Sequence, residues 1–339
     1  MTFVKKDVKR VLIETMVCRA LRDMETDPGR SVRNLVDLGL YFAKGRFQKE
    51  FLSELHEMLE NEHSAYYPMF RDLVTHVERE RLLTFGMNIG YNSCTWGANI
   101  IRKIESEEHF NIPWSMVLEI SCDTFLASPE QYESLVEQGE KLGIYTWFLF
   151  IDKKPMELFS LIDNHRDCAF VLFCSPALID ERVLSDIAEL HNLMIAVRWE
   201  EKTTDVCTRL REEKLLYSVY VPGYDSLLPQ IETGSLFDET DEAHPLFTVI
   251  LPFPGSNPCN CHDRIVKLRS EQVYQTIPWD FVGDSCTIDG VISDYFCAAA
   301  FDRYGDLHSF VNKLPEERNN IFQQPLADIL KHAFPYPEQ

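Results

Sequence analysis

The order of apolar and polar residues divides the chain into a helical beginning and a longer alternating remainder. Up to about residue 80, Leu, Val and Phe recur at spacings of three and four, as in VRNLVDLGLYFAKGRFQKEFLSELHEMLENE. This spacing places apolar side chains along one face of a helix. The pattern therefore predicts a helical N-terminal region over residues 1–81.

From Leu82 onward, short apolar runs alternate with amphipathic segments. The runs predict strands and read LLTFGM, SMVLEIS, IYTWFLFI, CAFVLFC, LMIAVRW, LLYSVYV and LFTVIL. Nearly continuous hydrophobicity is typical of parallel strands covered on both faces, and the amphipathic segments between them are typical of repeated βα units. The sequence therefore predicts an α/β protein with a parallel sheet.

Turn residues predict where several of these elements begin and end. Ser128-Pro129 and Ser175-Pro176 each place an N-cap residue before a proline at the first helical position, which predicts helices ending at Gly143 and near Asn192. The stretch LPFPGSNPCNCHD is rich in proline and predicts a connector. Beyond it, Asp289-Gly290 lies between apolar residues and predicts a β-hairpin.

Composition narrows the function classes. The formal net charge of -21 disfavours binding to nucleic acid or to an anionic membrane surface. The chain has no GxGxxG or GxxxxGK[ST] phosphate-binding loop and no apolar run long enough for a membrane span. No signal peptide is evident, so the ten cysteines predict reduced thiols in a cytoplasmic protein.

Two stretches carry a resemblance to a known family. VLEISCDTFLASPEQYESLVEQGEKLGIYTWFLF resembles the second strand, the following turn and helix, and the third strand of the radical S-adenosylmethionine (radical SAM) superfamily. CTIDGVISDYFC, followed by YGDLHSF, is similar to the SPASM or Twitch extension of that superfamily. The resemblance implies a partial (β/α), TIM-like barrel over residues 82–257 and a small cysteine-containing extension with a C-terminal helix over residues 258–339.

The residues that define the family's chemistry are replaced. The family carries CxxxCxxC after its first strand, where three thiolates hold a [4Fe-4S] cluster, whereas this chain has GYNSCTWGANIIRK with Cys94 alone. The family's GGEP turn corresponds to Cys122–Phe125. The resemblance thus implies that S-adenosylmethionine is not cleaved. It favours a binding or accessory role towards a peptide, a small ligand or a partner enzyme.

An enzymatic alternative stays open at this stage. It requires either a cluster or metal only in the C-terminal extension or cluster-free acid–base chemistry at the barrel mouth. Functional groups of barrels gather at the carboxyl ends of strands, which makes Glu119, Asp123 and Arg198 the catalytic candidates. A structural Glu119–Arg198 ion pair is the competing interpretation of two of these charges.

Other side chains are candidates for binding. Tyr91, Cys94, Trp96 and Tyr224 are expected to contact a ligand at the mouth, although packing is the more common role of a cysteine such as Cys94. An iron–sulfur cluster or zinc in the extension would use Cys259, Cys261, Cys286 and Cys297. The competing interpretation is a set of reduced thiols. His165 is expected to be solvated.

Overall fold

The computed structural model describes residues 8–42, 49, 52–53, 56–223, 225–251, 261–293, 295–310, 314 and 319–336. Its centre is a nine-stranded sheet. The strands are β1 (Ser115–Ile120), β2 (Thr146–Ile151), β3 (Ala169–Cys174), β4 (Leu193–Arg198), β5 (Tyr217–Pro222), β6 (Phe247–Leu251), β7 (Ile277–Asp280), β8 (Ala299–Phe301) and β9 (Leu307–Ser309).

The sheet is a curled half-barrel in the spatial order β7-β6-β5-β4-β3-β2-β1-β8-β9. All neighbouring pairs are parallel except β8 and β9, which are antiparallel. Consecutive parallel strands from β1 to β7 are joined by segments that contain helices, as βα units require. This architecture confirms the predicted α/β class and partial barrel.

Helices precede the sheet and cover it. In the described part of the chain they are α1 (Val8–Asp23), α2 (Pro28–Phe42), α3 (Tyr66–His76), α4 (Arg79–Met87), a π-helix (Asn88–Gly97), α5 (Ala98–Glu108), α6 (Cys122–Ala127), α7 (Pro129–Leu142), α8 (Phe159–Asn164), α9 (Glu181–Ile187), α10 (Thr203–Glu212), α11 (Leu228–Thr233), α12 (Ser235–Asp241), α13 (His262–Glu271), α14 (Phe281–Ser293) and α15 (Leu326–Ala333). Short 3₁₀ turns cover Pro155–Leu158, Pro176–Leu178 and Asp225–Leu227.

The two faces of the sheet pack against different partners. Side chains alternate along a strand, so Trp147 and Phe148 of β2 face opposite sides. Trp147 is fully buried beneath α7, where a Cβ on Gly139 would lie 2.4 Å from its ring. Phe148 faces the concave side, and its ring centroid is 5.0 Å from that of Phe281 at the start of α14. The outer face is therefore covered by helices, and the inner face is filled with aromatic rings.

The predicted strand LLTFGM is wrong. Residues 82–87 belong to α4, and the following residues continue as the π-helix rather than as a loop after a strand. Arg81, Leu82 and Phe85 are buried on α4 at spacings that suit a helix. A short apolar run does not distinguish a buried strand from a buried helix segment. β1, predicted as the second barrel strand, is the first strand in chain order, and its outer neighbour is β8.

The predicted hairpin at Asp289-Gly290 is also wrong. Both residues lie inside α14, whose buried residues include Cys286, Asp289 and Ile292 at spacings of three. A Cβ on Gly290 would lie 2.7 Å from the ring of Phe296, so glycine here makes room for that ring. The hairpin of this region is β8–β9, which turns at residues 302–306 with Gly305 at a φ of 81°.

The predicted helix starts are correct in one case and shifted in the other. α7 begins at Pro129 after Ser128 and stops at Gly143, which has a φ of 95° as a left-handed helix end requires. After Ser175-Pro176 the chain makes only a 3₁₀ turn. The longer helix α9 starts after Asp180, whose carboxylate accepts a hydrogen bond from the amide of Val183 at 2.9 Å.

Candidate binding site at the carboxyl ends of the strands

The half-barrel has two ends, and the candidate residues are divided between them. Tyr91, Cys94 and Trp96 lie in the π-helix, which packs at the amino-terminal ends of β2 and β3. Ser93 of this helix contacts Thr146, the first residue of β2, with an Oγ–Oγ1 distance of 3.0 Å. The expected position of these side chains at the barrel mouth is therefore wrong, because the segment does not follow a strand.

The π-helix holds its neighbours through buried amides. Asn88 donates from Nδ2 to the carbonyls of Arg166 and Cys168, each at 2.8 Å. Asn92 donates to the side chain of Asn88 at 2.9 Å and to the carbonyl of Asp167 at 2.8 Å. These bonds satisfy backbone carbonyls just before β3, which makes this end of the barrel a structural clamp.

Cys94 lies in this clamp among apolar neighbours. It packs against the main hydrophobic core. Burial raises the pKa of the Cys94 thiol to about 12, which leaves almost no nucleophilic thiolate at neutral pH. Packing is the role that these surroundings support.

The carboxyl ends of the strands present a different surface. Glu119 of β1 is in register with Phe150 of β2, which is in register with Phe173 of β3. Residues in register share a face, so the Glu119 side chain lies on the inner face beside these rings. Glu119 is exposed, and within the described residues it makes no hydrogen bond or salt bridge.

Arg198 lies on the same inner face, at the end of β4. Its strand partner Tyr220 stacks edge-on against Phe173 with a centroid distance of 5.3 Å. Arg198 is 48% exposed, and its Nε lies 3.6 Å from the carboxylate of Glu200 rather than near Glu119. The structural Glu119–Arg198 ion pair that the sequence left open is therefore absent from the described residues, because β2 and β3 separate the two strands.

Aromatic rings form the floor of the inner face, with Phe150 and Phe173 between these two charges and Tyr220 on the strand beyond Arg198. Phe150 and Phe173 are stacked with a centroid distance of 4.3 Å and an interplanar angle of 15°. Phe173 is buried, whereas Phe150 and Tyr220 are only partly buried. Phe281 lies beneath them, 5.7 Å from Phe173. The lower half of the concave side is thus filled, and the upper half has accessible aromatic surface.

Asp123 takes no part in this inner surface. It stands at the start of α6, is 77% exposed and forms an ion pair with Lys153 at 2.8 Å. The hydrogen bond from the Lys153 ammonium lowers the pKa of Asp123, which makes it a weaker base than an ordinary aspartate. The three catalytic candidates therefore do not converge on one point.

The described cysteines do not fit a cluster held by three thiolates. Cys122 follows β1 and Cys174 ends β3, but both are buried, and burial raises the pKa of each thiol. The described residues contain no group of three or more His, Cys, Asp and Glu side chains suited to hold a metal ion. A [4Fe-4S] cluster needs several thiolate ligands brought together.

The cysteines of the extension lie in two places. Cys261 is buried in a small core with Ile265 and Phe237, whereas Cys286 and Cys297 belong to the main core. Cys259 and Tyr224 lie outside the described residues. The metal site that would use Cys259 therefore stays a prediction.

Buried titratable side chains that were not recognised as such from the sequence include Asp289 and His165. Asp289, interpreted as a turn residue, is 1% exposed and accepts a hydrogen bond from the amide of Trp114 at 2.9 Å. Burial raises its pKa to about 8 despite hydrogen bonds from Trp114 and Cys297. The signal in the sequence was its position at helical spacing between the buried Cys286 and Ile292.

His165, expected to be solvated, is 6% exposed between two carboxylates. Its Nδ1 lies 3.0 Å from Glu140 and its Nε2 lies 2.9 Å from Glu133. Burial acts to lower the pKa of His165, but the two glutamates outweigh burial and raise it. Glu133 and Glu140 are seven residues apart on α7, and this spacing on one helix face was the available signal.

The curled parallel sheet and its accessible carboxyl end define a partial (β/α) barrel, the architecture that the sequence resemblance implied. No protein-family model and no curated protein matches the chain. No helix in the described part of the chain has the length and hydrophobicity needed to cross a membrane.

Solved structures of SuiB from Streptococcus suis are similar to this chain. SuiB bound to S-adenosylmethionine aligns with a TM-score of 0.51 and 10% identity over 71% of this chain and 67% of SuiB. SuiB bound to the precursor peptide SuiA aligns with a TM-score of 0.49 and 10% identity over 71% of this chain and 68% of SuiB. A further SuiB structure aligns with a TM-score of 0.48 and 9% identity over 90% of this chain and 78% of SuiB. At this identity the likeness concerns the fold alone.

Proposed function

We propose that this chain is a radical-SAM-like binding protein that holds a peptide on the inner face of its half-barrel and lacks the catalytic cluster. The observation that carries the proposal is the accessible row of Glu119, Phe150, Tyr220 and Arg198 at the carboxyl ends of the strands. A carboxylate, aromatic faces and a guanidinium on one concave surface are the groups that peptide-binding sites use.

The cysteine pattern supports the non-catalytic part of the proposal. The sequence contains no CxxxCxxC, and the single cysteine where β1 passes into α6 is Cys122, the first residue of that helix. Cys122 is buried, and its backbone amide donates a hydrogen bond to the carboxylate of Asp152 at 3.0 Å. The thiolate set that holds the family's cluster is missing from this sequence, and we infer an accessory role in peptide modification.

A peptide is favoured over the other partners that the sequence left open. SuiB, which has a similar fold, is seen bound to a precursor peptide. In this chain the accessible side chains follow a row across several strands, which suits an extended chain better than a compact small ligand. The net charge of -21 argues against nucleic acid.

Reconstitution tests the loss of the cluster. The purified chain would be incubated with iron and sulfide under reducing conditions, with a known [4Fe-4S] protein treated in parallel as the positive control. We expect no stoichiometric cluster by iron analysis and electron paramagnetic resonance, and no cleavage of added S-adenosylmethionine. A stoichiometric cluster together with cleavage would contradict the proposal.

Selection from a random peptide library tests the binding role. The immobilised protein would be presented with displayed peptides, and retained sequences would be resynthesised and titrated by calorimetry. We expect reproducible enrichment and saturable binding with one peptide per chain. A library that yields no binder on the wild-type protein would overturn peptide binding.

A further inference from the structure

We propose that the peptide segment bound on the inner face carries a basic side chain, one or more apolar or aromatic side chains, and an acidic side chain, in a row across the barrel. This inference rests on the proposed function and specifies the chemistry of its ligand. The basic group binds Glu119 on β1, the apolar part lies on Phe150 beside the buried Phe173, and the acidic group binds Arg198 on β4, with Tyr220 of β5 on its far side.

Glu119 is suited to a cation because of its surroundings. It is exposed on the inner face, with Val117 of its own strand and Phe150 of the next strand on the same side. Within the described residues no cationic side chain pairs with its carboxylate. An ammonium or guanidinium placed here would gain a charge-assisted hydrogen bond and contact with the neighbouring ring.

Arg198 is suited to a carboxylate. Its single described ion pair, to Glu200, is half exposed and longer than a hydrogen bond, so it contributes little. Glu200 is itself engaged by the hydroxyl of Ser175 at 3.3 Å. The planar guanidinium has five N–H donors and binds carboxylates in a bidentate manner, so Arg198 retains donors for an acidic ligand group.

The aromatic floor, of which Phe150 and the buried Phe173 lie between the two charges, accepts an apolar side chain. Phe150 and Tyr220 flank the buried Phe173, whose ring is 4.3 Å from Phe150 and 5.3 Å from Tyr220. Phe281 and the adjoining α14 support these rings from below. The rings are therefore held in place before binding, which reduces the entropy lost when a ligand packs on them.

The separation of the charges selects a chain over a single amino acid. β1 and β4 are three strand spacings apart, which is about 14 Å along the sheet, or about four residues of extended peptide. The curl of the sheet shortens the direct distance. The ammonium and carboxylate of one amino acid, joined through a single carbon, still cannot reach both side chains. We therefore expect the basic and acidic residues to be about three or four positions apart.

The library selection described above provides the first test. Enriched peptides are expected to share a basic and an acidic residue separated by apolar residues, in either chain direction. Enrichment of peptides without this pattern would overturn the inference while leaving peptide binding intact. An absence of binders would instead overturn the proposed function, so the two failures are distinguishable.

Charge reversal provides the second test. For a peptide with the expected pattern, E119K is expected to weaken binding by about tenfold to a hundredfold, because it replaces a charge-assisted hydrogen bond with repulsion. Replacing the basic residue of the peptide with Glu is expected to weaken binding to the wild type and to restore binding to E119K. Arg198→Met is expected to weaken the binding of peptides that contain the acidic residue and to leave the binding of peptides without it unchanged.

A matched control separates this effect from general charge effects. Glu137 is exposed on α7, on the outer side of the sheet, and E137K makes the same charge change as E119K. We expect E137K to bind the original peptide like the wild type. Circular dichroism and thermal unfolding would establish that all variants are folded. Equal weakening by E119K and E137K, or no rescue by the altered peptide, would overturn the inference.

Discussion

Buried amides at the amino-terminal end of the sheet donate to carbonyls, whereas charges at the carboxyl end remain accessible. Asn88 and Asn92 are 2% and 0% exposed and are bonded to the segment before β3. Glu119 and Arg198 are exposed on the inner face. The same fold thus uses polar residues for cohesion at one end and keeps them available at the other. Burial and pairing of a polar side chain, more than its residue type, distinguish the two uses.

The largest expected effect concerns the buried ring at the centre of the aromatic floor. Phe173→Ala removes a 2% exposed ring that contacts Phe150, Tyr220 and Phe281, and we expect a loss of about 3–5 kcal/mol in the free energy of unfolding. Phe150→Ala serves as the comparison. Because the Phe150 ring is partly exposed, this variant should lose less unfolding free energy than Phe173→Ala. Urea denaturation measures both, and equal losses would contradict the division into a filled lower half and an accessible upper half.

The next effect tests the clamp at the amino-terminal end. Asn88→Ala leaves the carbonyls of Arg166 and Cys168 without this donor, and we expect a loss of about 2–4 kcal/mol in unfolding free energy. Asn99→Ala is the control, since Asn99 is exposed and, among the described residues, its side chain bonds to the carbonyl of Thr95 one turn earlier. The folded Asn88 variant should bind peptide like the wild type. Weaker peptide binding by the folded variant would show that the two ends are not independent.

A smaller, pH-dependent effect is expected at His165. Because Glu140 and Glu133 raise the pKa of His165 above its ordinary 6.5 despite burial, protonation is favoured in the folded state. The resulting stability is complete below pH 6.5 and is lost as the pH rises through the raised native pKa. The stability difference between wild type and His165→Gln should therefore shrink with rising pH.

The control for this titration is His63→Gln, because His63 is exposed. Urea unfolding of the three proteins would be measured over the same pH series. The difference between wild type and His63→Gln should stay constant across the series. If the His165→Gln difference also stays constant, the two glutamates do not hold a protonated imidazole.

The smallest effect is expected at the exposed pair of Asp123 and Lys153. Asp123→Asn breaks an ion pair whose members are both solvated, so the midpoint of urea unfolding should not change measurably. Peptide affinity should also be unchanged, because Asp123 lies apart from the inner surface. A clear loss of affinity would bring Asp123 back into the site and extend the binding surface beyond the strand ends.

Strands β1 to β6 could be predicted from the sequence because each is an apolar run between turn signals. The failures have physical reasons. Leu82–Met87 is as apolar as a strand but is a helix packed on its neighbours, a choice made by tertiary contacts. β8 and β9 have only three residues each, too few for an alternating pattern to show. Asp289-Gly290 is a residue pair common in turns, but here it lies inside the helix α14.

The candidate site could be predicted only in part. A charge inside an apolar strand marked Glu119 and Arg198, and strand alternation places both on the inner face. The aromatic floor was not separable from ordinary core residues, because Phe150 and Phe173 differ in exposure but not in local sequence character. Tyr91, Cys94 and Trp96 were assigned to the wrong end of the barrel because that assignment depended on a strand that is a helix.

The pairing of β8 with β1 affects how the chain can fold during synthesis. β1 has been synthesised once the chain reaches residue 120, but the strand that covers its outer edge ends only at Phe301. For all of the intervening translation, the backbone groups along that edge have no sheet partner, which is the state most prone to intermolecular strand pairing. A nascent chain truncated before Ala299 should therefore aggregate more readily than one truncated after Ser309.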